Sequence, residues 1–173
     1  VGAAVIEAFT AVVEERRWLG TEPGFDPGAR LAWMAEALDS PIAALFVAES
    51  AETAETADAS GANGPGREIV GNLNIQCLPY GVAELGMFVA AGWRGRGVGG
   101  RLLDAAVDWA RAAGAHKVSL QHWPYNDAAA ALYRSRGFEQ EGLLRRHYRR
   151  ADGSRRDAVV MGLLLDDGAP ANG

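Results

Sequence analysis

A single cysteine, Cys77, is all the thiol chemistry this chain carries. An internal disulfide and a cysteine-rich zinc site are both excluded. Cys77 continues an apolar alternation with Leu73 and Ile75, which predicts a buried structural thiol. Long hydrophobic runs are missing too, and no stretch reaches the length of a membrane span. No signal-peptide pattern opens the sequence. These absences predict a cytoplasmic protein with no membrane partner. Positive charge is not in surplus either. The formal net charge is −5, which argues against a general nucleic-acid binder. No internal repeat is visible.

What is present fits one domain with a real core, since the chain has 173 residues. Residues 3–17 carry Val5, Phe9, Val12 and Val13 at helical spacing. Asp26-Pro27 reads as an N-cap and first-turn proline opening a helix through Leu38. Residues 42–49 are an apolar strand candidate. The stretch 68–78 alternates, with Asn72, Asn74 and Gln76 opposite Leu73, Ile75 and Cys77, which predicts a half-exposed antiparallel strand. Strands near 82–90, 116–122, 138–147 and 155–165 follow, with helices at 98–113 and 126–136. Between the first two strands, residues 50–67 are rich in Ala, Glu, Thr, Ser and Gly and have little to bury, which predicts a flexible insertion. Residues 166–173 read as a disordered tail, leaving 1–165 as the single domain.

One local concentration of positive charge interrupts the acidic balance. Arg145, Arg146, Arg149, Arg150, Arg155 and Arg156 cluster between two late strands. Such a cluster is either a solvated hairpin or a patch for phosphates or an acidic substrate.

The most informative stretch is Arg94-Gly95-Arg96-Gly97-Val98-Gly99. It follows the strand-like run Ala83 to Ala90 and opens the helix-like run Val98 to Ala113. A glycine-rich turn at a helix start presents unpaired backbone N–H groups and the positive end of the helix dipole, which suit a pyrophosphate. Gly95-x-Gly97-x-x-Gly100 also matches a dinucleotide fingerprint. That fold wants the turn in its first βα unit and an acid roughly 20 residues on. Here the turn lies past the midpoint, and the next strand, Lys117–His122, ends in Gln121 and His122.

Read as R-x-x-G-x-G, the turn resembles the acetyl-CoA pyrophosphate loop of the GCN5-related N-acetyltransferase (GNAT) superfamily. Downstream, Asn126, Ala129, Leu132, Tyr133, Gly137 and Phe138 resemble that family's N-x-x-A-x-x-L-Y-x-x-x-G-F helix and turn. Asp152-Gly153 and Asp157 to Met161 resemble the final hairpin of many members. The likeness covers residues 82–165 well and the first half loosely. It implies an α/β (α+β) fold with a mostly antiparallel sheet of about six to seven strands, splayed at the acetyl-CoA site and flanked by about four helices. Members usually carry a strand before their first helix. Here the helix begins almost at residue 1, so that strand is expected to be absent from this sequence or the sheet edge altered.

The resemblance also implies a chemistry: acetyl transfer from acetyl-CoA to a primary amine of a small molecule or peptide, within a ternary complex and without a metal. It admits a homodimer. The backbone of Gly95, Gly97, Val98 and Gly99, with Arg94 and Arg96, would hold the pyrophosphate. Pantetheine would run along Met87, Phe88 and Val89, where a backbone N–H would polarise the acetyl oxygen; plain core packing also explains Met87 and Val89. Asn126 would bond the pantetheine arm and also serve as a helix N-cap. Tyr133 would protonate the leaving thiolate, a phenol near pKa 10 being a suitable acid; a core aromatic is the alternative. Glu84 is the candidate base, or else an exposed strand-edge glutamate, with His122 and Asp127 in reserve. Many ribosomal-protein-type members carry a glutamate where this chain has Gln121, which cannot act as a base. His116 and His147 read as surface residues. Trp18, Trp33, Trp93, Trp123 and Tyr125 could build an acceptor pocket or belong to core and rim. A CoA-binding module without turnover is the other reading.

Overall fold

The computed structural model describes residues 1–50 and 68–165. The insertion and the tail expected from composition therefore lie outside the described residues, apart from Ser50. The order is α1 (Gly2–Glu14), α2 (Pro27–Asp39), β1 (Ala43–Glu49), β2 (Ile69–Cys77), β3 (Val82–Val89), α3 (Val98–Ala112), β4 (Lys117–His122), α4 (Asp127–Ser135), β5 (Glu139–Arg149) and β6 (Arg155–Leu164). One 3₁₀ turn, Ala91–Trp93, precedes α3. The six strands form one sheet in the order β1-β2-β3-β4-β6-β5. All neighbours are antiparallel except β3 and β4. The first described element is α1, and β1 forms the sheet edge.

Local chemistry accounts for the helix limits. Asp26 accepts from the N–H groups of Gly28 and Ala29, and Pro27 supplies a fixed φ at the first helical position. α1 stops earlier than its apolar pattern suggests. Arg16 sits at φ 54°, a left-handed conformation that no helix continues. α4 ends in a Schellman turn: Gly137, at φ 84°, lets the Phe138 N–H donate back to the Tyr133 carbonyl at 3.1 Å. Phe138 is then buried with its ring 5.9 Å from that of Tyr133. The Gly-Phe pair is thus the device that stops α4 and fixes the tyrosine.

Both faces of the sheet are covered. α3 and α4 bury Leu73, Ile75, Leu103, Val118, Tyr133 and Met161 on one face. α1 and α2 bury Val5, Phe9, Val12, Met34, Ile69 and Phe88 on the other. The half-exposed strand expected at 68–78 is therefore corrected. Asn72 is buried, and its Nδ2 donates to the Phe46 carbonyl at 3.0 Å, which satisfies the amide where it would otherwise cost stability. Alternation alone could not reveal that a second layer covers the polar face. Cys77 is half-buried, and burial raises its thiol pKa. Among the described residues, no helix is long and apolar enough to cross a membrane.

Candidate active site

The site begins where two strands part. β3 and β4 pair in register only from Val82 with Lys117 to Leu85 with Leu120. Beyond that point β3 continues to Val89 beside β2, and β4 to His122 beside β6. A slot therefore opens between Gly86–Val89 and Gln121–His122. The Ala90 N–H donates to Val70, and the Val82 carbonyl accepts from Leu78. Even-numbered residues of β3 thus turn their backbone groups toward β2. By alternation, Met87 and Val89 turn theirs into the slot. The Val89 carbonyl there accepts from Arg94 Nε at 3.0 Å.

One side of the slot leads to a groove of about 350 Å³ over the Gly-rich turn. Gly97, at φ 80°, is the N-cap of α3, and Gly95 sits at φ 74°. Both conformations favour glycine, and both positions are open above. The first intrahelical bond of α3 runs from the Arg101 N–H to the Gly97 carbonyl, so the N–H groups of Val98, Gly99 and Gly100 precede the ladder. Gly99 is needed for close packing: a Cβ there would meet Met87 at 3.0 Å and Leu132 at 3.1 Å.

The arginines of the turn differ from each other. Arg94 is engaged by Glu15 through two hydrogen bonds of 2.6 and 2.7 Å, with its guanidinium 5.3 Å from the Trp18 ring. The hydrogen bond from Arg94 is the main reason the Glu15 carboxyl lies below its ordinary pKa. Arg94 therefore ties the α1–α2 loop to the turn, a role the motif did not announce. Arg96 is exposed and stacks on Trp93 at 5.0 Å.

The other side of the slot leads to a second cavity, of about 340 Å³, containing Glu84, Ser119, Gln121, His122, Trp123 and Tyr148 among its walls. The two cavities share Trp18, Leu19, Met87, Asn126 and Tyr133. Tyr133 is only 6% exposed. Burial pushes its phenol up to about 12. Asn126 caps α4, its Oδ1 accepting from the Ala129 N–H at 3.2 Å, so the capping role expected of it holds.

Glu84 is exposed at the cavity mouth. Burial, then the Glu84 charge, raises the pKa of Tyr148. The Tyr148 hydroxyl donates to Gln121 Oε1 at 2.9 Å, so Gln121 orients a phenol. His122 Nδ1 faces the Trp123 carbonyl at 2.8 Å. A carbonyl only accepts, so Nδ1 carries the proton in the neutral ring and Nε2 keeps a lone pair. That Nε2 is buried without a partner among the described residues. Asp127 lines neither cavity.

Sequence reading missed the polar contacts that tie the α1–α2 loop to Trp123 and the β5–β6 hairpin beside this site. Arg150 is 7% exposed, pairs with Glu22, and donates to the Gly20 carbonyl at 2.7 Å. Tyr125 donates to the Arg17 carbonyl at 2.7 Å and accepts from Arg156. The arginine cluster is thus divided: Arg150 is a buried strut and Arg156 a rim contact, while Arg145, Arg146, Arg149 and Arg155 are exposed. The only sequence signal for Arg150 was membership of that cluster. Trp123 is buried beneath both Arg150 and Arg156. His116 and His147 are exposed, as expected.

A sequence model described as the acetyltransferase (GNAT) family matches residues 14–138. The chain belongs to that family. Among curated relatives, the N-alpha-acetyltransferase RimI of Mycobacterium tuberculosis (strain ATCC 25618 / H37Rv) is 47% identical over 70 residues, 40% of this chain and 41% of that protein. The uncharacterized N-acetyltransferase YhfO of Bacillus subtilis (strain 168) is 42% identical over 55 residues, 32% of this chain and 37% of that protein. These matches span less than half of each relative. Among solved structures, the ribosomal-protein-alanine N-acetyltransferase of Brucella melitensis superimposes with a TM-score of 0.77 at 24% identity, covering 95% of this chain and 94% of that one. YncA, a putative acetyltransferase of Salmonella typhimurium solved with its cofactor acetyl-CoA, gives 0.77 at 21% identity, covering 97% and 90%. The GNAT fold expected from the motifs is therefore present.

Proposed function

We propose that this GNAT-family chain transfers an acetyl group from acetyl-CoA to a primary amine of a small molecule or peptide, directly and in a ternary complex. One observation carries the reading: two cavities meet at a buried tyrosine where β3 and β4 part. A thioester entering from one side and an amine from the other would meet there, which is the positioning such a reaction requires.

Pyrophosphate binds the free N–H groups at the start of α3, with Arg96 adding charge. Arg94, already neutralised by Glu15, holds the turn in shape instead. Pantetheine lies along Met87–Val89, taking the slot-facing backbone groups of Met87 and the Val89 N–H, since the Val89 carbonyl is held by Arg94. A slot-facing N–H of β3, near Val89, polarises the acetyl oxygen. The free amide nitrogen of Asn126 bonds the pantetheine arm.

Tyr133 donates to the departing sulfur. A phenol at about 12 is a weaker acid than an ordinary tyrosine. It stays protonated throughout the working range and stabilises the thiolate by hydrogen bonding as the C–S bond breaks. The amine arrives as an ammonium and must lose a proton. Glu84 takes it, directly or through water, and the His122 Nε2 lone pair is a second acceptor in the same cavity.

The test is acetyl-CoA turnover against a broad amine panel, with free CoA and acetylated product detected by mass. Product on one amine class is the expected result. Saturable acetyl-CoA binding without product on any amine would leave a CoA-binding module in its place.

A further inference from the structure

A third cavity, of about 280 Å³, lies between the sheet and the α1–α2 layer, walled by Phe9, Arg30, Asn72, Asn74, Gly86 and Tyr148 among others. It shares Leu19, Gly20, Gly86, Met87 and Tyr148 with the cavity that holds Glu84. The two are therefore adjacent chambers with a common wall.

Their charges are opposite. Among the described residues, Glu84 is the only carboxylate lining the first chamber, and no lysine or arginine lines it. Among those residues, Arg30 is the only charged side chain lining the second. Its guanidinium lies 4.7 Å from the Phe9 ring and 4.5 Å from the Trp33 ring. Partial burial lowers its pKa, with no acid acting on it. Among the described residues its side chain makes no hydrogen bond or ion pair, so five N–H donors are left over. A partly desolvated cation without an anion is costly in a finished site. A planar fork of donors in a small chamber suits a carboxylate. Glu84 and Gly86 are successive residues on the same face of β3, about 7 Å apart, and Gly86 lines both chambers.

Resting on the transferase reading above, we propose that the acceptor is an amino-carboxylate: its amine sits toward Glu84 and its carboxylate is bound by Arg30. The carboxylate could belong to a free amino acid or to an acidic side chain near a peptide amine.

The test uses matched acceptors: a set of amino acids, the decarboxylated amine and the carboxamide of each, and short peptides with acidic or amide side chains at the second residue. For wild-type protein, kcat/KM is expected to be at least about tenfold higher for a carboxylate-bearing member than for its neutral partner, about one charge-assisted contact. Which set responds identifies the source. R30M should erase that preference through KM and leave acetyl-CoA affinity unchanged, while R30K should restore part of it. Calorimetric titration of the same compounds into the CoA-loaded protein reads the preference without turnover. A carboxylate preference lost in R30M supports the proposal even if no amine is acetylated, an outcome that would defeat the transferase reading alone. Equal handling of charged and neutral partners, or a preference that survives R30M, overturns it.

Discussion

The two halves of this site are built by different means. The half proposed to hold the cofactor is made of backbone: positive-φ glycines at 95 and 97, the free N–H groups opening α3, and the edge of β3 that β4 does not cover. The half proposed for the acceptor is made of side chains from remote segments. Trp18 and Leu19 come from the α1–α2 loop, Gln121 and His122 from β4, and Tyr148 from β5. Backbone binding depends on a conformation that few sequences satisfy, so it leaves a motif. Side-chain pockets can be lined in many ways and leave none. Tyr133 belongs to both halves.

Perturbing that junction should have the largest effect. Y133F is expected to lower kcat by roughly 10²–10⁴, the usual worth of a positioned acid, with acetyl-CoA affinity unchanged by calorimetry. Because burial pushes the phenol up to about 12, its protonated, active form persists below that value and is lost only as pH rises through it. Wild-type kcat should therefore show no tyrosine-dependent fall up to about pH 10, where an ordinary tyrosine would be half ionised. A fall there would show a less buried phenol.

Next comes the backbone half. G97V places a β-branched residue at φ 80°. Strain of about 1–3 kcal/mol and the displaced N–H groups should weaken acetyl-CoA binding on the order of a hundredfold. Affinity retained would move the cofactor away from this turn. A smaller, pH-dependent change is expected from E84Q. Its loss, roughly 10- to 100-fold in kcat/KM near neutral pH, should shrink as pH approaches the amine's own pKa, about 10. A constant deficit across pH would instead assign Glu84 to substrate binding.

The smallest effect falls on the Glu22–Arg150 pair. E22Q leaves Arg150 buried without its carboxylate. Glu22 keeps some contact with water, so the expected loss is about 1–3 kcal/mol, below that of a fully buried pair, read as a lower Tm. Acceptor KM should rise a few-fold while acetyl-CoA affinity holds. Equal damage to both affinities would mean that the halves are not separable.

Every element from α1 to β6 was legible in the sequence, some from local pattern, as with Asp26-Pro27 and the alternation of Leu73, Ile75 and Cys77, and others, such as α4 with its Gly137-Phe138 turn, through the family resemblance. Asn72 was misjudged because covering by another layer is a tertiary fact. The glycine-rich turn and the helix start at Val98 were legible from the sequence, but not that Arg94 answers to Glu15, 79 positions away. Arg150 and Arg30 could not be recognised beforehand. An arginine's role depends on what surrounds it, and Glu22, Phe9 and Trp33 gather around these two only in the fold.

The central claim is that thioester and amine occupy the two sides of Tyr133 at the same time. Initial velocities measured over a grid of acetyl-CoA and amine concentrations test it most directly. Intersecting double-reciprocal lines are predicted, with no acetyl group found on the protein by intact mass after incubation with acetyl-CoA alone. Parallel lines, with the protein gaining one acetyl group before amine is added, would contradict it.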